Sequence, residues 1–453
     1  MTVQNLVQFG MLPPGLPFDP MLLKIEGPQR VEGEVVISGA KNAASKMMVA
    51  SLLTNEPVIL HNFPRIDEID IVRELVERMG AKVEIRDHTL VLETPEIVTD
   101  EVVGLSRANR ISVLALPALL HRKGKAILPI VGGDRIGPRP VNYHLDALRA
   151  MGAEIDESGD RFIATAPRGL SGTHVALPFP SVGATENILL AGVLAKGRTV
   201  IENAALEPEI LDLIMMLQNM GAIIELGTGR TISIDGVERL RGASHEILPD
   251  RMEAASYACM ALATGGRIFC RNARQADMIT FLNAVRRIGA DYEVMGDGIV
   301  FFRKGPMNGI DLETDTHPGF MTDWQQPFTL VLTQCEGTSV FHETVYEDRF
   351  GYTRELNRLG AQITVFDKCL GELPCRFRSK RHPHSAIVQG PTPLTSIPGT
   401  LDIFDIRAGI TLVIAALCAE GTTMLTGLEH LDRGYENLLG KLEGLGIRAE
   451  RVG

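Results

Sequence analysis

The stretch VGGDRIGPRPV, residues 131 to 141, packs three glycines, an acid, two arginines and two prolines around three aliphatic side chains. That composition cannot be core, and it predicts a surface loop. Asp134 sits there between Gly132-Gly133 and the cations Arg135 and Arg139. Turn-residue frequencies alone read it as a solvated turn acid; the alternative is a carboxyl that moves a proton beside bound charge. A second acid, Asp323 in HPGFMTDWQQPF, has the sequence setting of a helix N-cap. Cys369, Cys375, His382 and His384 lie close enough along the chain to suggest a zinc site. Their C-x5-C and H-x-H spacings match structural zinc patterns poorly, so no metal is expected. The neighbouring run Arg376, Arg378, Lys380 and Arg381 reads as a solvated loop. GGDRIG lacks the following strand and acidic ribose partner of a dinucleotide fingerprint, and no cofactor is expected.

One phrase, repeated along the chain, defines the elements that must position such groups. It reads LVERMGAKVEI, LRAMGAEIDE, LQNMGAIIEL, VRRIGADYEV, LNRLGAQITV and, worn down, LEGLGIRAER. Its glycines are Gly80, Gly152, Gly221, Gly289, Gly360 and Gly446, separated by 72, 69, 68, 71 and 86 residues. A period near 70 with one insertion before the last copy marks a sixfold repeat. Each phrase predicts an amphipathic helix, a glycine in the left-handed conformation at its C-terminal end, and then an alternating strand. Three such units per lobe, in two lobes, is the simplest packing of six.

A chain of 453 residues is too long for one core. It is 45% hydrophobic and carries a net charge of -11, which argues against a nucleic-acid partner and requires any phosphate-bearing ligand to meet locally placed arginines. The apolar runs ISVLALPALL and ITLVIAAL are too short to span a bilayer, so no membrane partner is expected. Residues 1 to 20, broken by prolines and glycines, read as a surface leader rather than a secretory signal. Cysteines 259, 270, 335, 369, 375 and 418 form no disulfide framework, which predicts reduced thiols and a cytoplasmic protein.

Six strings in order, ISGAKNAA (37 to 44), FPSVGATENILLA (179 to 191), VIENAALEPEILDL (200 to 213), LPDRMEA (248 to 254), ETVYEDRFG (343 to 351) and HLDRGYENL (430 to 438), resemble the enolpyruvyl transferases. The likeness is to the branch acting on UDP-sugars rather than to the shikimate branch, and it runs from about residue 22 to the C-terminus. It implies two inside-out α/β domains of three repeated units each. The first would be 41–248, carrying a catalytic loop at 131–140; the second would combine 1–40 with 249–453. The implied reaction moves the enolpyruvyl group of phosphoenolpyruvate to the 3-hydroxyl of UDP-N-acetylglucosamine through a tetrahedral ketal, and starts peptidoglycan synthesis.

Such a reaction needs an acid for the methylene carbon, a base for the sugar hydroxyl, and cations for a multiply charged substrate. Each cation taken alone would read as a solvated surface charge. By resemblance, Lys41, Arg139 and Arg433 clamp phosphoenolpyruvate, Asp323 is the base, and Arg110 and Arg407 make further anion and nucleotide contacts. Asn42, Pro140, Val141, Asn142, Tyr143, Ser181, Gly183 and Val345 would line the nucleotide-sugar site. Asp134 occupies the loop position where most relatives carry a cysteine acid that is alkylated by fosfomycin. A carboxyl can replace the acid but not the thiol nucleophile, so fosfomycin insensitivity is expected. Asn142 departs from the usual acid of the uridine-contacting string, which leaves another acceptor as an alternative, alongside a catalytically silent UDP-sugar-binding paralogue.

Overall fold

The computed structural model describes residues 21–102, 105, 110–129, 141–157, 159, 161–373 and 375–453. The leader 1–20 and the loop residues Asp134, Arg135, Arg139 and Pro140 lie outside the described residues. Among the described residues the strands form six sheets, as many as the repeat has copies. In the first, Ala243–Glu246 runs parallel to Val58–His61, which pairs antiparallel with Thr89–Glu93, which pairs antiparallel with Lys82–Arg86. Four other sheets repeat that order. The remaining sheet has Lys125–Pro129, Arg161–Thr165 and Glu154–Asp156, and a parallel bridge from Glu101 to Ile127 stands where the others place a strand. The six phrase glycines all adopt positive φ, from 74° at Gly446 to 106° at Gly80 and Gly360, the region that side chains with a Cβ resist.

Buried apolar side chains gather into two cores. One is drawn from Ala40 to Leu248, the other from Leu23 to Ile37 together with Met252 to Ile447. In the second, the helices Arg251–Thr264, Thr322–Thr333 and Ile406–Cys418 are buried on nearly every side. They are rich in Ala, Leu, Val and Thr all round and have no charged outer face, so the centre of the lobe is the stable place for them. Their lobe's sheets and the amphipathic helix Ile279–Arg287 cover them. This arrangement, helices inside and sheets outside, is the inside-out α/β fold.

The chain passes between the cores twice, and the two passages are bonded to each other. Ala40 N donates to Leu248 O at 2.8 Å and Asp250 N to Ser38 O at 2.8 Å. The N-terminal strand Leu22–Gly27 inserts between Gly421–Thr426 and Ala449–Val452, so the start of the chain completes the last sheet. Arg251, just past the second passage, makes a buried two-pronged ion pair with Glu209 of the other core, at 3.0 and 2.9 Å. Removing one partner of such a pair typically costs about 3–5 kcal/mol. The 86-residue interval is spent on a long connection between the paired strands Gln362–Phe366 and Ser385–Gly390.

Candidate active site

The N-terminal ends of the buried helices converge on the groove between the cores. Lys41 opens the helix Lys41–Ala50, and Ser181 caps Val182–Gly192 by accepting from Ala184 N at 3.4 Å. Asp405 caps Ile406–Cys418 by accepting from Arg407 N at 2.8 Å and Ala408 N at 3.0 Å. The positive ends of the helix dipoles favour an anion here. The groove holds a cavity of about 330 Å³, within the range of small-molecule sites. Lys41, Asn42, Arg110, Tyr143, Ser181 and Gly183 line it from one core, and Asp323, Val345 and Arg407 from the other. Val141 and Asn142 are described but do not form its wall; Tyr143 and His144 stand there instead.

Asp323 is not the helix cap its sequence setting suggests. The helix begins at Thr322 with Met321 as N-cap, and the Asp323 side chain makes no capping bond. Its Oδ1 instead accepts from Arg349 Nη2 at 2.5 Å, and its Oδ2 from Arg407 Nε and Nη2 at 3.4 Å each. Burial alone would raise this carboxyl, but Arg407, Arg349 and Lys41 outweigh it and hold the acid down to about 2. Both arginines are nearly enclosed, with 3% and 5% of their side chains exposed. Arg407 is further fixed by donating to the Tyr435 hydroxyl at 3.0 Å, and that hydroxyl is in turn 2.8 Å from Ser256 Oγ.

Lys41 and Arg433 meet through a residue that sequence reading passed over. Glu68, in the first turn of Asp67–Arg78, is buried and bonds Arg433 Nε at 2.5 Å; Lys41 Nζ lies 3.9 Å from its other oxygen. Burial would raise the Glu68 carboxyl, yet the two cations hold it below the ordinary carboxylate value. Arg433 comes from the second core and Glu68 from the first, so this contact ties the two sides of the groove. Arg349 was also missed, although it lies within a string singled out above; nothing local in EDRFG distinguishes a buried arginine from a solvated one.

His144 is held neutral. Burial and the nearby Arg110 depress its imidazole to about 3, and Asn187 Nδ2 donates to its Nδ1 at 3.0 Å, which leaves the proton on Nε2. A Cβ at Gly183 would come within 2.9 Å of that ring, so this position admits no side chain without moving the histidine. Glu186, one turn further along, is buried on the cavity wall and pushed up to about 7 by burial, eased by Lys46 and reinforced by Glu209 and Glu207.

That shift has a stability consequence. The folded protein keeps the Glu186 proton up to about pH 7, whereas the unfolded chain releases it near 4.5. The associated stability is full below 4.5 and is lost as pH rises through about 7. Glu186→Gln is therefore expected to flatten this slope and, near pH 8, to be more stable than the parent by on the order of 2–3 kcal/mol. Urea midpoints across the range check it, and parallel curves for the two proteins would contradict it.

The fold and the groove define a class before any particular enzyme. Residues 25–442 match the family model of EPSP synthase (3-phosphoshikimate 1-carboxyvinyltransferase). The enolpyruvyl transferase NikO from Streptomyces tendae superposes with a TM-score of 0.83 at 24% identity, over 96% of this chain and 100% of that one. EPSP synthase from Acinetobacter baumannii superposes at 0.72 with 18% identity, over the same shares of the two chains. The fold is that of the enolpyruvyl transferases. Among curated proteins, the UDP-N-acetylglucosamine 1-carboxyvinyltransferase of Protochlamydia amoebophila is 46% identical over 95% of this chain and 94% of its own. That of Chlamydia pneumoniae is 47% identical over the same shares, and that of Gluconacetobacter diazotrophicus 42% over 94% and 98%. The chain belongs to the UDP-N-acetylglucosamine 1-carboxyvinyltransferase family, and it is an enzyme. No helix among the described residues is long and apolar enough to cross a membrane.

Proposed function

We propose that the protein transfers the enolpyruvyl group of phosphoenolpyruvate to the 3-hydroxyl of UDP-N-acetylglucosamine, releasing phosphate, as the first committed step of peptidoglycan synthesis. The observation that carries this reading is the Asp323 carboxylate, held between Arg349 and Arg407 at a helix N-terminus on the wall of the groove. In the first step the sugar oxygen bonds to C2 of phosphoenolpyruvate, its proton passes to Asp323, and the methylene carbon takes a proton from Asp134. In the second the C2–O bond to phosphate breaks and a methyl proton leaves, which restores the double bond. Lys41, Arg139 and Arg433 clamp the phosphoenolpyruvate; Arg110, Asn42, Val345 and Tyr143 face the nucleotide sugar. The first lobe is 41–248 with the loop 131–140, and the second is 1–40 with 249–453. Six free cysteines support a cytoplasmic setting.

An acid held at about 2 is a weak base. Substrate phosphate and carboxylate groups compete for the same guanidinium groups, and drawing Arg349 and Arg407 off Asp323 raises its basicity as the site fills. Binding and base strength are coupled in this way.

The test of the acceptor is phosphate release from phosphoenolpyruvate with UDP-N-acetylglucosamine, run beside UMP and shikimate 3-phosphate. Release with the UDP-sugar alone is expected; release with another acceptor alone would reassign the substrate, and release with none would leave a binding protein. In the same assay Glu68→Gln is expected to raise KM for phosphoenolpyruvate by about tenfold to a hundredfold, the effect of losing one charge-assisted hydrogen bond. An unchanged KM would remove Glu68 from the clamp.

A further inference from the structure

We propose that the protein carries a structural zinc ion, held by His342, Cys369, Cys375 and His384. The spacing of Cys369, Cys375, His382 and His384 argued against a metal, but spacing described the wrong set. His342, the last residue of the strand Gly337–His342, replaces His382, and one ligand atom from each of the four residues lies within 4.8 Å of the other three. The two histidines are brought together by the sheet: His342 pairs in register with Ser385 of the next strand, and Glu343 N donates to His384 O at 2.7 Å.

The imidazoles are set up as ligands. His342 Nδ1 is 2.9 Å from Glu313 Oε2, which places its proton on Nδ1; its Nε2 is buried and has no hydrogen-bond partner among the described residues. His384 Nδ1 donates to His382 O at 2.6 Å, and its Nε2 faces Cys369 Sγ at 3.3 Å. Both Nε2 lone pairs are thus free to coordinate, in the arrangement by which outer partners orient zinc-bound histidines. Glu313 is itself fixed by accepting from Glu372 N at 2.7 Å and Leu373 N at 2.9 Å. A Cβ on Gly371 would fall 2.2 Å from Glu313 Oε2 and 2.3 Å from His342 Nδ1, so the chain must cross here as glycine. Two thiolates and two imidazoles, all from the protein, make a closed tetrahedral set, which selects zinc and marks a structural role rather than a catalytic one.

The ion would anchor a loop that reaches the groove. Arg376 follows Cys375 directly; its guanidinium stacks 4.6 Å over Phe179 of the other core and 4.8 Å over Phe377, and it donates to Val345 O. Phe179, Val345 and Arg376 all line the cavity, so Arg376, exposed as the loop reading expects, also borders the groove. Its effect on substrate rests on the proposed function above, but the metal site itself does not.

The direct measurement is elemental analysis of protein purified without chelators from zinc-supplemented cells. About one zinc per chain is expected, retained in His382→Ala and lost in the Cys369→Ser, Cys375→Ser double variant. To separate metal loss from misfolding, the parent protein is also stripped by chelator dialysis and titrated with Co²⁺. A thiolate-to-cobalt charge-transfer band that saturates at one equivalent and is erased by Zn²⁺ is expected, with the stripped protein melting lower by about 5 °C or more. Metal-free parent protein whose stripped form shows no such band, or a Cys369–Cys375 disulfide under reducing purification, would overturn the site. If zinc binds and no enolpyruvyl transfer is found, the proposed function fails and the metal site stands.

Discussion

Asp323→Asn is expected to lower kcat by about a thousandfold, with affinity for UDP-N-acetylglucosamine changed by less than about tenfold. The amide preserves the shape of the side chain and one acceptor for Arg349, so a nucleotide sugar still meets the same wall. What disappears is the acceptor for the hydroxyl proton. The substitution also withdraws the anion facing two enclosed guanidinium groups, and an unpaired buried charge is costly. The free variant should therefore melt earlier than the parent, and saturating substrate, whose phosphates can take up Arg349 and Arg407, should restore part of the difference. Rapid-quench turnover and calorimetric binding separate the two effects. Turnover within tenfold of the parent would take Asp323 out of the proton path.

On the proposed role of Asp134, the parent is expected to keep its activity in fosfomycin while Asp134→Cys loses more than about 90% of it in minutes, since thiolates are strong nucleophiles. In the variant the thiolate attacks an epoxide carbon, a C–S bond forms, the ring C–O bond breaks and the alkoxide takes a proton. On the proposed mechanism the parent carboxyl supplies the proton in turnover, and a carboxylate is a far poorer nucleophile towards the epoxide than a thiolate. The variant should keep measurable turnover, because a thiol can also donate a proton. Time-dependent inactivation followed by the mass of the adduct decides it. A parent protein inactivated as quickly as the variant would dismiss the assignment of Asp134 as the feature that sets sensitivity.

The fold was legible because it is written several times over. Each phrase glycine sits where a helix must stop and turn into a strand, and all six take the backbone conformation that reading required. Resemblance supplied Lys41, Asp323 and Arg407, and the structure brings all three to the wall of one cavity. The site was illegible where burial decides the chemistry. Glu68 looks like an ordinary acid in the first turn of an amphipathic helix, and only packing against Lys41 and Arg433 makes it a clamp. Arg349 and Glu186 look solvated or helical in sequence, and only the folded chain buries them. Asp323 shows the reverse error: a TDW string is a good cap in isolation, but two arginines from distant segments draw the carboxylate away. His342 lies 27 residues before Cys369 in sequence and beside it in space, a relation set by strand pairing that no local spacing rule contains.

On the proposed function, enolpyruvyl transfer to UDP-N-acetylglucosamine proceeds by protonation of the methylene carbon followed by elimination. Incubation with phosphoenolpyruvate and UDP-N-acetylglucosamine in deuterated water, with the product analysed by NMR, tests it most directly. The expected product is a UDP-sugar bearing a vinyl ether at O3, with solvent deuterium in its methylene group. A vinyl ether free of deuterium would contradict the addition and elimination path, and the absence of any new UDP-sugar would contradict the transfer itself.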